Sequence, residues 1–197
     1  MRELSLHILD IVENGITAGA RVITIRVEEA SAADRLLISV HDDGRGMPPR
    51  KVVDIANPFV TTRTTRRVGL GLSLLAAAAR RCEGDIHVKA APGTGTEVTA
   101  TFRLSHIDRA PLGDMAATLG TLIMGNPPVD FVYNHRLDGR EFTLDTRDLK
   151  RELEGVDLSS PAVVSHLMEL IRRSLKELVS GGGPTHTKES ANGQADD

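Results

Sequence analysis

Two runs of period-two alternation, Arg21 to Glu29 (RVITIRVEE) and Arg35 to Asp42, stand back to back with only Ala30 and the Ser-Ala-Ala-Asp connection between them. Such alternation marks half-buried strands, and so short a connection makes them antiparallel neighbours. A helix precedes them. Leu4, Ile8, Ile11, Val12 and Ile16 recur mostly at spacings of three and four, which predicts an amphipathic helix over residues 2–19 stopped by Gly19. A chain that opens in this way must lay helices across one face of an antiparallel or mixed sheet.

The next segments repeat the theme. Pro48 and Pro49 open a short helix that runs through Ala56, and Asn57-Pro58 ends it, because the residue before proline avoids the helical region. Residues 59–68 carry four Thr and three Arg without apolar periodicity and read as a loop. Leu70 to Cys82 is a Leu- and Ala-rich helix closed near Gly84, and strands Asp85–Ala91 and Glu97–Leu104 flank Pro92-Gly93-Thr94-Gly95. The expected class is α+β, not doubly wound.

From residue 106 the texture changes. A helix around Leu112 to Met124 leads to a hairpin, Val129–Asn134 and Glu141–Asp145 joined through Asp138-Gly139, and then to helices near 147–154 and 161–179. We expect a first unit over residues 1–105, an appended segment over 106–180 suited to partner docking, and a tail over 181–197 too polar to order itself.

Composition narrows the partners. A formal charge of −3 offers no global basic field for nucleic acid or an anionic membrane, and no apolar run has the length of a span. Cys82 is the only cysteine, so it forms no internal disulfide and fits a buried structural thiol in a reducing, cytoplasmic setting. With 3% aromatic residues and no Trp, the core must be aliphatic.

On the opening helix Glu3, His7, Asp10, Asn14 and Thr17 share a stripe apart from the apolar one. A solvated face is the bland explanation. The chemical one is that Asn14 offers an amide oxygen to a hard cation such as Mg²⁺, while Asp10, one turn earlier, orients or deprotonates a nucleophile aimed at a γ-phosphate. Asp42 and Asp43 follow the second strand and point to opposite sides, so one of them can face a cleft and accept adenine amino hydrogens. Gly44 and Gly46 permit close approach, and Met47 can lie against a purine. Gly69-Leu70-Gly71-Leu72-Ser73 opens a helix whose bare N–H groups suit phosphate oxygens. It is neither a dinucleotide fingerprint nor a P-loop. Thr62 and Arg63 belong to a cationic, hydroxyl-rich segment able to close over a triphosphate, and Thr96 can reach the nucleotide from its strand.

Taken in order, DIVEN, DDGRGMP, NPFVTTR, VGLGLS and PGTGTEV resemble the five sequence boxes of the GHKL ATPases, the superfamily of gyrase, heat-shock chaperone, histidine kinase and MutL-type proteins. The likeness covers about residues 1–104. It implies a two-layer α/β sandwich of the Bergerat type that binds ATP and Mg²⁺ beneath a mobile lid. Carried over position by position, Asn14 would coordinate Mg²⁺ and Asp43 would bind the adenine amino group. Gly44, Gly46, Gly69 and Gly71 would shape the pocket, and Thr96 would support adenine recognition. PFVTTR and VGLGLS look most like histidine kinases, whereas VENGITAGARVITIRV is similar to the mismatch-repair branch. Asp10 stands where that superfamily often has Glu, and Thr17 where the DAG pattern has Asp.

The resemblance implies a kinase catalytic module that transfers the γ-phosphate to a separate protein partner, since no phosphoacceptor helix pair precedes the first box. The alternative is an ATP-switched interaction or homodimerisation module with little hydrolysis. Neither needs nucleic acid or a membrane.

Overall fold

The computed structural model describes residues 3–47 and 70–181. The expected helix at 48–56, the loop at 59–68 and the tail beyond 181 lie outside the described residues, as do Thr62, Arg63 and Gly69.

Helix α1 spans Leu4–Thr17 and buries Leu4, Ile8, Ile11 and Val12, the stripe expected of it. Its first N–H groups would be orphans, because Glu3 makes no side-chain cap. Carbonyls from a distant segment take them: Leu4 N–H donates to Pro111 O at 3.0 Å and Ser5 N–H to Leu112 O at 2.8 Å. Strands β1 (Val22–Ala30) and β2 (Arg35–Asp42) pair antiparallel through a 3-10 turn at Ser31–Ala33. Helix α2 (Leu70–Arg81) precedes β3 (Ile86–Ala90) and β4 (Thr96–Arg103). Then come α3 (Met115–Gly125), the hairpin β5 (Asp130–Leu137) and β6 (Arg140–Asp145), α4 (Thr146–Glu152) and α5 (Pro161–Ser180).

The strands form one mixed six-stranded sheet in the order β3-β4-β2-β1-β5-β6, with every pairing antiparallel except β1 with β5. Helices lie on one face. Along β2, Leu36, Ile38 and Val40 point into that layer, as do Ile23, Ile25 and Val27 of β1 and Val98, Ala100 and Phe102 of β4. The α+β sandwich expected from the sequence is the observed fold.

The hairpin beyond residue 106 joins the same sheet. Phe131 and Tyr133 of β5, Leu119 of α3 and Ile171 of α5 belong to one apolar cluster with Leu4, Val12 and Ile25. A buried polar chain also crosses the β1–β5 seam: Tyr133 Oη lies 2.9 Å from His135 Nδ1, and His135 Nε2 lies 2.9 Å from Glu29 Oε1. Burial, with the nearby Glu29 charge, pushes the Tyr133 hydroxyl far above its ordinary range, so it remains a neutral donor.

Candidate functional site

At the end of the sheet where β2 finishes and β4 begins, a cavity of about 350 Å³ opens between α1 and α2. That size suits a small organic ligand. Asn14, Gly15 and Thr17 contribute the α1 wall with Ala18 at its C-terminal cap, Leu72 the α2 wall, and Arg45, Gly46 and Met47 the loop after β2. Asp42, Thr96 and Val98 come from the sheet. Ile11 and Pro92, which the sequence pattern marked as a core position and a turn, add apolar surface to the cavity.

One expectation requires correction. The carboxylate in this cavity belongs to Asp42, which is 6% exposed, and not to Asp43. Strand parity is the reason: Asp42 continues the inward series Leu36, Ile38 and Val40, so the next residue must turn away. Asp43 is exposed and serves the backbone, its Oδ1 accepting from Arg21 N–H at 2.7 Å and Val22 N–H at 3.0 Å. These hydrogen bonds outweigh its partial burial and hold the Asp43 carboxyl below the usual range.

Asp42 has the opposite electrostatics. Burial raises its pKa, only partly offset by hydrogen bonds from the backbone of Gly44, at 2.9 Å to Oδ1, and of Thr96. A desolvated carboxylate at the base of an apolar cavity favours a ligand that brings hydrogen-bond donors to it.

Glycines let the walls close. Gly15, which no sequence motif marked out, sits inside α1, where glycine costs about 0.5–1 kcal/mol relative to alanine. A Cβ there would come within 2.9 Å of the Asp42 Cβ, so the helix can rest on the carboxylate only with glycine at this position. Gly46 has a φ of +63°, and a side chain would strike the Ala91 carbonyl. Gly71 abuts α1, where a Cβ would lie 3.1 Å from both Cβ and Oδ2 of Asp10. The first and second glycine boxes therefore meet the opening helix at two different points.

Of the polar stripe, Asn14 and Thr17 line the cavity. Asp10 is half-buried beside the start of α2 and is not part of the cavity wall. His7 is fully buried. Gly44 donates its N–H to Asp42, and Leu70 begins α2, whose first-turn N–H groups have no intrahelical acceptor. Among the described residues no cluster of three or more His, Cys, Asp or Glu could cage a metal. A divalent ion held by Asn14 would thus take most of its oxygens from a phosphate ligand and water, which suits Mg²⁺. Cys82 is buried and its thiol is raised by burial, as expected of a structural cysteine.

Residues 2–106 match the family described as histidine kinase-, DNA gyrase B-, and HSP90-like ATPase. The chain belongs to this family. Among the relatives of this GHKL ATPase, sensor protein kinase FleS of Pseudomonas aeruginosa is 40% identical over 105 residues, 53% of this chain and 25% of that protein. Sporulation kinase C of Bacillus subtilis is 30% identical over 94 residues, 48% of this chain and 22% of its own length. The chain therefore spans about a quarter of the length of these two curated relatives. The N-terminal domain of a DNA repair protein shares the fold with a TM-score of 0.51 at 14% identity, covering 74% of this chain and 53% of that one. This share exceeds the family match, so the common fold takes in part of the chain beyond residue 106. No described helix is long and apolar enough to cross a membrane.

Proposed function

We propose that this GHKL ATPase binds Mg·ATP in the cavity between α1, α2 and the sheet, and passes the γ-phosphate to an acceptor side chain on a separate protein. The observation that supports the binding half is the meeting of Asn14, Asp42, Gly46, Met47 and Thr96 around one largely apolar cavity. The two relatives named above are both kinases, which supports the transfer half.

In this reading Asp42 accepts the adenine amino hydrogens, and Ile11, Met47, Leu72 and Val98 flank the base. Asn14 holds Mg²⁺ through its amide oxygen, and the first turn of α2, with Gly69 before it, directs N–H groups at phosphate oxygens. Thr62 and Arg63, which lie outside the described residues, are the side chains we assign to the triphosphate from the sequence motif. The ion, when bound, neutralises charge on the β- and γ-phosphates. Asp10, beside Gly71, takes the proton from the attacking acceptor group as that group bonds to the γ-phosphorus and the bond from this phosphorus to the bridging oxygen breaks, so that ADP is the leaving group. The site works in the cytoplasm, where Cys82 stays reduced.

A second reading, an ATP-switched interaction or homodimerisation module, is favoured by one observation. Residues 111 and 112 cap the N-terminus of α1, so the segment over 106–180, proposed as the docking unit, touches the helix that carries Asn14. Acceptor chemistry separates the two. Incubation with γ-labelled ATP and candidate partners yields labelled protein under the first reading and only a shift in oligomeric state under the second. ATP at about 100 times its dissociation constant should stabilise the chain by roughly 2.7 kcal/mol. Asn14→Ala should lose the magnesium-dependent part of that shift, and Asp10→Asn should keep binding but slow turnover. If no adenine nucleotide raises the melting temperature, both readings fail.

A further inference from the structure

We propose that the open face of the sheet, opposite the helices, holds a second ligand site: Arg26 and Ser39 take the phosphate of a phosphorylated sugar, and polar groups of β4, β5 and β6 take its hydroxyls. The site is separate from the nucleotide cavity and does not rest on the function proposed above.

Strand parity turns Thr24, Arg26 and Glu28 of β1 away from the helices, together with Leu37, Ser39 and His41 of β2. The register sets Arg26 directly across from Ser39, with Thr99 of β4 beyond Ser39 and Asn134 of β5 beyond Arg26. Two hollows meet on this row. One of about 490 Å³ runs toward Lys89 and the turn between β3 and β4, and one of about 650 Å³ runs toward β5 and β6; Thr24, Arg26, Ser39 and Glu97 line both. Each has the size of a small-molecule site.

The charges around the two hollows leave one cation over. Glu28 pairs with Arg35 at 2.9 Å, Glu97 with Lys89 at 3.4 Å and Glu141 with Arg136 at 3.1 Å, so each carboxylate in the lining has its own base. Arg26 has no ion-pair or hydrogen-bond partner among the described residues. Across from it Ser39 is 8% exposed, and its hydroxyl likewise makes no hydrogen bond among the described residues. A buried polar group without a partner calls for an explanation, and a ligand supplies one. A guanidinium beside a hydroxyl matches the oxygens of a phosphate, and Thr24 offers a second hydroxyl.

The rest of the ligand follows from the larger hollow. Thr99, Asn134, Glu141 and Thr143 line it, a set of hydroxyl, amide and carboxylate groups that can exchange hydrogen bonds with a polyol. Asn134 donates to Glu141 and, at 2.9 Å, to Thr143, so these groups are held in place before a ligand arrives. Among the described residues no Phe, Tyr or Trp lines either hollow, and a nucleobase would find no ring to stack on. The lining therefore fits a sugar better than a nucleoside.

The test is calorimetry on the full chain without nucleotide, with three probes titrated separately: glucose phosphorylated on its primary hydroxyl, inorganic phosphate, and glucose. The sugar phosphate should bind about tenfold or more tightly than either of the others. Arg26→Gln should weaken it about tenfold or more, since a hydrogen bond to a charged group is lost, and Ser39→Ala about threefold or more. No heat with the sugar phosphate overturns the inference. Equal affinity for inorganic phosphate overturns it too, because the sugar is then not recognised, and equal affinity for glucose does so because the anion is then not needed. Unchanged affinity in either variant places the ligand elsewhere, the nucleotide cavity included, and also overturns it. Should Ser39→Ala not fold, Arg26→Gln decides, because that side chain is exposed and its loss leaves no partner unpaired.

Discussion

Gly15 of α1 and Asp42 of β2 are packed so closely that a Cβ on Gly15 would stand 2.9 Å from the Asp42 Cβ and 3.3 Å from the Ile23 Cδ1. This contact sets how deep the carboxylate lies beneath the helix. It also joins two residues 27 positions apart in the chain, one on the helix that carries Asn14 and one at the end of a central strand.

Gly15→Ala tests that contact. Helix propensity alone would make the change favourable by about 1 kcal/mol. The added methyl has to displace atoms anchored near the backbone of β2, and overpacking of this kind costs about 1–3 kcal/mol. We expect a net loss of stability in chemical denaturation, together with weaker ATP binding by calorimetry. An alanine variant that is more stable and binds normally would show that the α1–β2 spacing is slack.

Asp42 and Asp43 should respond in opposite ways. Asp42→Asn removes a charge that burial disfavours but retains an acceptor for Gly44 N–H, so the ligand-free melting temperature at neutral pH should hold or rise. The sign follows from the raised pKa: ionised Asp42 lowers stability as pH climbs through its folded value. Nucleotide binding should nevertheless collapse. Asp43→Ala removes the acceptor for Arg21 and Val22 N–H, costs about 1 kcal/mol, and should leave binding nearly intact. If Asp43→Ala abolished binding and Asp42→Asn did not, the roles of the two carboxylates would be reversed.

Acid should loosen the C-terminal half through Asp114. This side chain caps α3 by accepting from Ala117 N–H at 2.9 Å, and it pairs with Arg172 of α5 at 3.0 Å. Those contacts, the Ala117 hydrogen bond foremost, hold its pKa below the ordinary carboxylate value. A depressed pKa adds stability that is present above the unfolded value and lost as pH falls through the folded one. Asp114→Ala should therefore cost about 1 kcal/mol near neutrality. The gap between the two melting curves should begin to narrow near the unfolded carboxylate value of about 3.9 and close only below the lower folded one. A gap that persists in strong acid would mean that the loss comes from packing, not from the ionised cap.

Local periodicity was enough to read the helix of α1, the strands β1 to β4, the hairpin with its Asp138-Gly139 turn and the two long C-terminal helices, because those signals repeat every two or 3.6 residues within one element. The ordered boxes were legible as short contiguous motifs, and Asn14, Gly46, Met47, Leu72 and Thr96, which belong to them, line one cavity in the structure. The identity of the inward carboxylate was also written in the chain, since the parity of Leu36, Ile38 and Val40 extends to Asp42; it required the strand to be counted to its last residue.

Other relationships are properties of the assembled structure. That β5 lies parallel to β1, and not beside β4 as an adjacent hairpin would, depends on contacts more than 100 residues apart in sequence, such as Glu29 with His135. No local pattern encodes such a pairing, because it is selected by how whole faces bury one another. The same holds for Gly15 against Asp42 and Gly71 against Asp10: glycine announces room for an approach, but only the packed helices and sheet determine what approaches.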